Sequence, residues 1–234
     1  MSITADKIFS VTETSFQETA LEVFAYQYEN VEVYRAYCDL LKRNPQNIKS
    51  VSEIPFLPIE FFKTHRVISK EREPEKVFES SGTTGQLTSK HFVADLKLYE
   101  TSFNKGFELF YGDATKHVIL ALLPSYLERN NSSLVYMAKH LIEKSRQNAS
   151  GFFLDEFEKM YDWLDVLKTS HRKVILLGVT FALLDFAEQY KIDFPDLIVM
   201  ETGGMKGRRE ELTREEVHTC LRTSFDVNHI HSEY

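Results

Sequence analysis

The chain has 234 residues, 43% of them hydrophobic and 27% charged, a composition that suits one substantial α/β core or two smaller domains and not a disordered segment. A formal net charge of -7 argues against a nucleic-acid surface or an anionic membrane patch as the main partner and favours a small molecule. Cys38 and Cys220 are the only cysteines, too few for a disulfide scaffold and each set in a predicted helix, where a small buried thiol is the ordinary occupant.

The N-terminal residues lack the basic and apolar regions of a secretory signal, and the longest nearly apolar run, 174–184, is well short of a membrane span. The expectation is a cytoplasmic protein without membrane insertion. Residues 15–43 read as a helix, with Ser15 and Glu18 as a capping box and Leu21, Phe24, Ala25, Tyr28 and Val31 at helical spacing. Asn44-Pro45 ends that run, and a connector punctuated by Pro55 and Pro58 follows, with the hydrophobes of 59–62 expected to pin it down. A helical region at 1–53 and an α/β nucleotide-binding core at 54–234 are the domains this pattern predicts.

Short strands are predicted at 66–69, 76–79 and 90–93, around the segment Ser80-Ser81-Gly82-Thr83-Thr84-Gly85. Four hydroxyls and two glycines in six residues can turn backbone N–H groups and side-chain donors around an anion, which is the chemistry of a phosphate cradle. The segment follows neither the G-x-x-x-x-G-K-[ST] nor the G-x-G-x-x-G spacing, and a polar surface turn is the competing reading. Phe103, Phe107, Phe110 and Tyr111 on the next predicted helix are expected in the core rather than around an apolar substrate.

After residue 117 the pattern alternates: strand 117–123, helices 132–147 and 155–168, strand 173–177, helix 181–189, strand 197–200, helix 213–221 and strand 225–229. Continuous apolar strands separated by helices predict a mostly parallel sheet flanked by helices. Ligands gather at the carboxyl ends of such strands, which here carry Pro124-Ser125, Gly178-Val179-Thr180, and Glu201-Thr202-Gly203-Gly204-Met205-Lys206-Gly207. Gly203 and Gly204 leave room for a planar group against bare backbone, and Thr213 with Glu216 predicts a capped helix start. The chain closes on His229-Ile230-His231-Ser232-Glu233-Tyr234, an aromatic and a carboxylate delivered at a strand end. His229 and His231 would share one face of the 225–229 strand and its continuation, but no third ligand completes a metal site.

At three of these places the chain resembles the adenylate-forming enzymes, which use ATP to turn a carboxylate into an acyl-adenylate and pyrophosphate. Residues 80–85 look like their phosphate-binding signature, Glu201-Thr202-Gly203-Gly204 resembles the glycine-rich loop beside adenine, and His231-Ser232-Glu233-Tyr234 is similar to the start of the motif carrying a base-stacking aromatic. Within that superfamily the long spacer, the Glu-Thr-Gly-Gly-x-Lys-Gly loop and the His-Ser-Glu-Tyr ending look most like the acyl-protein synthetase (LuxE) family. Phenylacetate-CoA ligases are more distant relatives of similar appearance. The resemblance implies a truncated adenylate-forming N-terminal domain. It further implies ATP with Mg2+ as cofactors, a small-molecule carboxylic acid, a fatty acid by preference, as substrate, and an acyl-accepting protein thiol or CoA as partner. It assigns ATP binding to Ser80, Ser81, Gly82, Thr83, Thr84, Gly85, Gly203, Gly204 and Tyr234, and catalytic roles to Lys90 and Glu233.

Two departures qualify these expectations. The signature commonly continues Gly-x-Pro-Lys, whereas here Gln86-Leu87-Thr88-Ser89-Lys90 follows Gly85, so Lys90 is a displaced candidate for the phosphate-directed lysine. The family's ribose-binding carboxylate, mobile C-terminal domain with its catalytic lysine, and acyl-accepting cysteine would fall beyond residue 234, as would a side chain for the magnesium ion. A CoA ligase like those acting on phenylacetate, and a non-catalytic nucleotide- or acyl-binding module, are the competing functions. An acyltransferase that never uses ATP lacks an identifiable nucleophile and base.

Overall fold

A computed structural model describes residues 3–80, 87–124, 131–203 and 212–233. Its contacts group the chain into two compact units, Met1–Gly106 and Phe107–Tyr234. No helix among the described residues is long and apolar enough to cross a membrane.

The first unit opens with α1 (Ala5–Phe9), capped by the Thr4 side chain, which accepts from the Lys7 N–H. The helix predicted over 15–43 is broken in two, α2 (Phe16–Asn30) and α3 (Glu32–Leu40), by Val31, which is extended at φ -114° and ψ 102°. Val31 is buried, and the Asn30 side chain bonds back to the Tyr26 carbonyl at 2.8 Å, the local competition by which an asparagine ends a helix. The Ser15 capping box is not formed: Ser15 itself has helical angles, and its hydroxyl accepts from the Thr12 N–H at 2.9 Å. Turning at Val31 lets α2 and α3 bury Phe24 and Cys38 together with Ile48, against Leu21, Tyr28, Tyr34 and Ile54.

The connector is held by the Tyr34 hydroxyl, which donates to the Pro55 carbonyl at 2.7 Å, while Ile59 points into solvent instead of pinning it. A short helix, α4 (Phe61–Thr64), follows, and 66–69 is not a strand. The antiparallel hairpin β1 (Lys76–Glu79) and β2 (Lys90–Val93) is as predicted, with Glu79 opposite Lys90. The helix α5 (Leu96–Tyr111) carries residues of both units.

The second unit is built on β3 (His117–Leu122), all of whose residues are buried. It continues through α6 (Ser133–Ser145), β4 (Gly151–Phe153), α7 (Phe157–Leu167), β5 (Lys173–Val179), α8 (Thr180–Gln189), β6 (Ile198–Thr202), α9 (Arg214–Phe225) and β7 (Ile230–Glu233). The strands form one parallel sheet in the order β4-β3-β5-β6-β7. The class is therefore α/β, a five-stranded parallel sheet flanked by helices. Unbroken apolar strands such as Val118-Ile119-Leu120-Ala121-Leu122 suit a sheet covered on both faces, each buried Val, Ile or Leu contributing about 1.5–3 kcal/mol. α7, α8 and α9 lie side by side through Phe157, Phe186 and Phe225, the last two stacked at 5.9 Å and 8°.

Two strands differ from expectation. β4 is a three-residue strand at the sheet edge, too short to show any period. The last strand begins at Ile230 and not at residue 225, because Phe225 is the buried end of α9. That helix stops where Asp226 turns left-handed at φ 53° and the Val227 N–H bonds the Arg222 carbonyl at 3.2 Å. The alternating run Phe225-Asp226-Val227 imitates a strand, but the aromatic stack on Phe186 claims the first of those residues for the helix.

Candidate functional site at the carboxyl edge of the sheet

The order β4-β3-β5-β6-β7 reverses direction between β3 and β5, and in open α/β sheets the ligand crevice lies outside the carboxyl ends of the strands at such a reversal. β5 passes into α8 with no intervening loop, so Thr180 stands at the first position of the helix. A glycine two residues earlier permits this close passage: a Cβ on Gly178 would lie 2.7 Å from Leu183 Cγ and 3.3 Å from Leu122 Cβ.

One carboxylate gathers the edge. Glu201 ends the apolar run of β6 with a side chain only 11% exposed. Its Oε2 accepts from the Thr180 hydroxyl at 2.8 Å, and its Oε1 accepts from the Ser232 hydroxyl at 2.6 Å. His218 Nε2 of α9 stands 3.5 Å from the same Oε1, and the Thr180 hydroxyl is also 3.0 Å from the Gly203 carbonyl. A carboxylate withdrawn from water is costly unless satisfied, and hydrogen bonds to a charged acceptor are worth about 1.5–3 kcal/mol each. Glu201 thereby ties α8, α9 and β7 to β6 immediately before the glycine loop.

The next residue points the other way. Thr202 Oγ1 donates to Glu233 Oε2 at 2.9 Å, orienting that carboxylate beside Gly203, which at φ 78° adopts a left-handed conformation natural to glycine. On the same side of β7 as Glu233, His231 Nδ1 lies 3.0 Å from the Tyr111 hydroxyl. Burial, then the neighbouring His229, hold the His231 imidazole below its usual pKa, and burial raises the Tyr111 phenol. Phenol and imidazole thus pair as neutral groups, and the imidazole tautomer sets which of them donates.

Gly203 and Glu233, to which the resemblance assigns ATP binding and a catalytic role, share this edge. Gly204 and Tyr234 lie outside the described residues. Thr180, Glu201, His218, Ser232 and Tyr111 form the supporting network. The sequence placed Gly178-Val179-Thr180 and the 201–207 loop at strand ends, but only the fold reveals that one buried acid joins them. His229 falls outside β7, so the two histidines do not share a strand face as expected. Among the described residues no three His, Cys, Asp or Glu side chains gather to hold a metal ion.

In the first unit the hairpin continues past its strands. The Ser80 N–H donates to the Ser89 carbonyl and Ser80 Oγ accepts from the Ser89 N–H, both at 3.0 Å. This pair closes the neck of the Gly/Thr loop, whose Ser81, Gly82, Thr83, Thr84 and Gly85 lie outside the described residues. Lys90 stands at the neck, 3.8 Å from Glu79 across the hairpin with its side chain 52% exposed. The aromatic set on α5 divides: Phe107 joins the core of the second unit, while Phe110 is exposed. Only part of that set meets the core expectation.

The acyl-protein synthetase family, LuxE, matches residues 9–232. Over 70 residues the chain is 37% identical to the long-chain-fatty-acid–luciferin-component ligase of Photorhabdus luminescens, a stretch that is 30% of this chain and 60% of that protein. The alignment thus spans under two thirds of the length of this curated relative. No solved structure matches. With the match running over nearly the whole chain, the protein belongs to the acyl-protein synthetase (LuxE) family.

Proposed function

We propose that this chain provides the nucleotide-binding part of an enzyme that activates a long-chain fatty acid with ATP and passes the acyl group to a protein thiol. The observation that carries the reading is the family match over residues 9–232, and the name of the Photorhabdus luminescens relative, a ligase of long-chain fatty acids, supports the substrate. In the first step a carboxylate oxygen of the acid attacks the α-phosphorus of ATP, the bond to the β-phosphate bridging oxygen breaks, and pyrophosphate leaves. In the second a thiolate attacks the acyl carbon, AMP leaves and a thioester remains.

The chain's own groups suit these demands. The Ser80–Ser89 pairing joins the two ends of the segment that carries Ser81, Gly82, Thr83, Thr84 and Gly85, and the N–H and hydroxyl donors of that composition suit the phosphates, where negative charge grows as pyrophosphate departs. Lys90 reaches the same neck with a half-exposed ammonium whose pairing to Glu79 at 3.8 Å is loose, so its charge can turn to a leaving phosphate. Gly203, bare of a side chain and left-handed, together with Gly204, leaves backbone against which adenine or the activated acyl group can lie, and Tyr234 stacks on the base. Glu233, oriented by Thr202, directs the substrate end of this edge. Mg2+ is a hard cation that keeps waters and phosphate oxygens as ligands, so it would arrive on the nucleotide.

Calorimetric titration with ATP and Mg2+ tests this reading. Saturable binding is expected, weakened about tenfold or more in the Thr83→Ala/Thr84→Ala variant through loss of two charge-assisted donors. Unchanged affinity in a folded double variant would sink the phosphate-loop assignment.

A further inference from the structure

The first unit carries a partly open cavity of about 980 Å³, at the upper end of the ~300–1,000 Å³ typical of small-molecule pockets. Its walls are mainly apolar. α2 turns Ala20, Val23, Phe24 and Gln27 toward it, a spacing of three, four and seven residues from Ala20 that marks one helical face, and the extended Val31 follows. Phe62 and Val67 from the connecting segment and Leu98 from α5 complete much of the lining. Arg72 is the cation and Asp95 the carboxylate among the described lining residues, and the Asp95 carboxylate is already engaged as acceptor for the Leu98 N–H at 2.9 Å.

One strand joins this cavity to the phosphate loop. His91, Phe92 and Val93 of β2 form part of its wall. The residues just before them, Ser89 and Lys90, form the neck of the Gly/Thr loop. From His91 to Ser89 is two residues, about 7 Å along a strand. An extended apolar molecule in the cavity with its polar end toward the start of β2 would therefore bring that end beside the neck, where the donors of the loop begin.

We propose that this cavity binds the hydrocarbon chain of the free fatty acid, with the carboxylate at the β2 end next to the Ser80–Ser89 neck. The assignment of a fatty acid as occupant rests on the proposed function; the site itself rests on the cavity, its apolar walls and the shared strand. A hydrocarbon chain gains binding free energy with each methylene taken out of water. The site is accordingly selective by chain length, and the acid binds before and without nucleotide.

The test is titration of the 234-residue chain with even-numbered fatty acids from hexanoate to hexadecanoate, without nucleotide and below their micellar concentrations. Affinity should climb with chain length. Filling the cavity by Ala20→Phe or Val67→Phe should weaken tetradecanoate about tenfold or more and move the preference to shorter acids. Ala36→Phe, on the separate concavity formed by α3 and α4, should leave tetradecanoate affinity unchanged. Folded Ala20→Phe and Val67→Phe chains with wild-type affinity, or a wild-type chain that binds no fatty acid, would overturn the site. A photoreactive diazirine tetradecanoate asks the same question without substitution: label within 16–31 and 90–102 is expected, and label confined to 107–234 refutes the proposal. A parallel ATP titration separates the two ideas. Fatty acid bound in the cavity by a chain that binds no ATP upholds the cavity and removes the nucleotide reading, whereas ATP binding without fatty-acid binding does the reverse.

Discussion

Glu201 shows how much one residue can organise. Its two oxygens accept hydroxyl protons from Thr180 and Ser232, elements 21 and 31 residues away in sequence, at 2.8 and 2.6 Å. Removing it takes the carboxylate acceptor from two partly or wholly buried hydroxyls, leaving Thr180 the Gly203 carbonyl at 3.0 Å, and opens a void at the end of β6. We expect Glu201→Ala to lower unfolding free energy by about 2–4 kcal/mol. Glu201→Gln, which keeps the volume and one carbonyl acceptor, should cost about 1–2 kcal/mol. Urea denaturation of the two variants measures the difference, and equal midpoints would show that Glu201 is not the clamp described. The acid was legible in the sequence as the end of an apolar strand, but its partners were not, since no local pattern links Thr180 to residue 201 or 232.

At the scale of elements, the direct passage of β5 into α8 depends on a missing side chain. Added to Gly178, a Cβ would sit 2.7 Å from Leu183 Cγ and 2.8 Å from its Cδ2, closer than atoms in a packed core approach. Gly178→Ala should therefore destabilise the fold by about 1–3 kcal/mol through overpacking. Because the clash is with one side chain, combining it with Leu183→Ala should cost less than the sum of the single changes. Additive losses in that double-mutant cycle would place the strain elsewhere. The same scale explains the sequence's misreadings. Val31 interrupts a run of helical spacing because burying it extended lets α2 fold back on α3, and Phe225 leaves a strand-like alternation because its ring stacks on Phe186. Both are long-range packing gains that outweigh local pattern.

For the molecule as a whole, buried histidines couple stability to pH. His117 is 1% exposed; its Nδ1–H donates to the Asp113 carbonyl at 3.0 Å and its Nε2 has no hydrogen-bond partner. Burial holds its pKa below the usual histidine range, and burial does the same for His231. The folded state thus resists protons that the unfolded chain takes up. The sign follows: this stability is present above the unfolded value of about 6.5 and is lost as pH falls from there through the depressed folded values, by at most about 1.4 kcal/mol per pH unit for each proton. His117→Phe should make the decline of unfolding free energy below pH 6.5 shallower. An unchanged slope in urea unfolding series at several pH values would exclude His117 as a contributor.

The sequence by itself determined the class of fold and the family: uninterrupted apolar strands between helices demand a sheet covered on both faces, and the motifs at 80–85, 201–204 and 231–234 carry a resemblance that the family match bears out. Those features are local, written in composition and short spacing. Tertiary structure alone decided the strand order, the closure of the Gly/Thr loop by Ser80 and Ser89, the gathering of α8, α9 and β7 on Glu201, and the apolar cavity behind β2. Each of these joins residues far apart in the chain, and such contacts are selected by the burial and hydrogen bonding of the whole fold, which no short window of sequence contains.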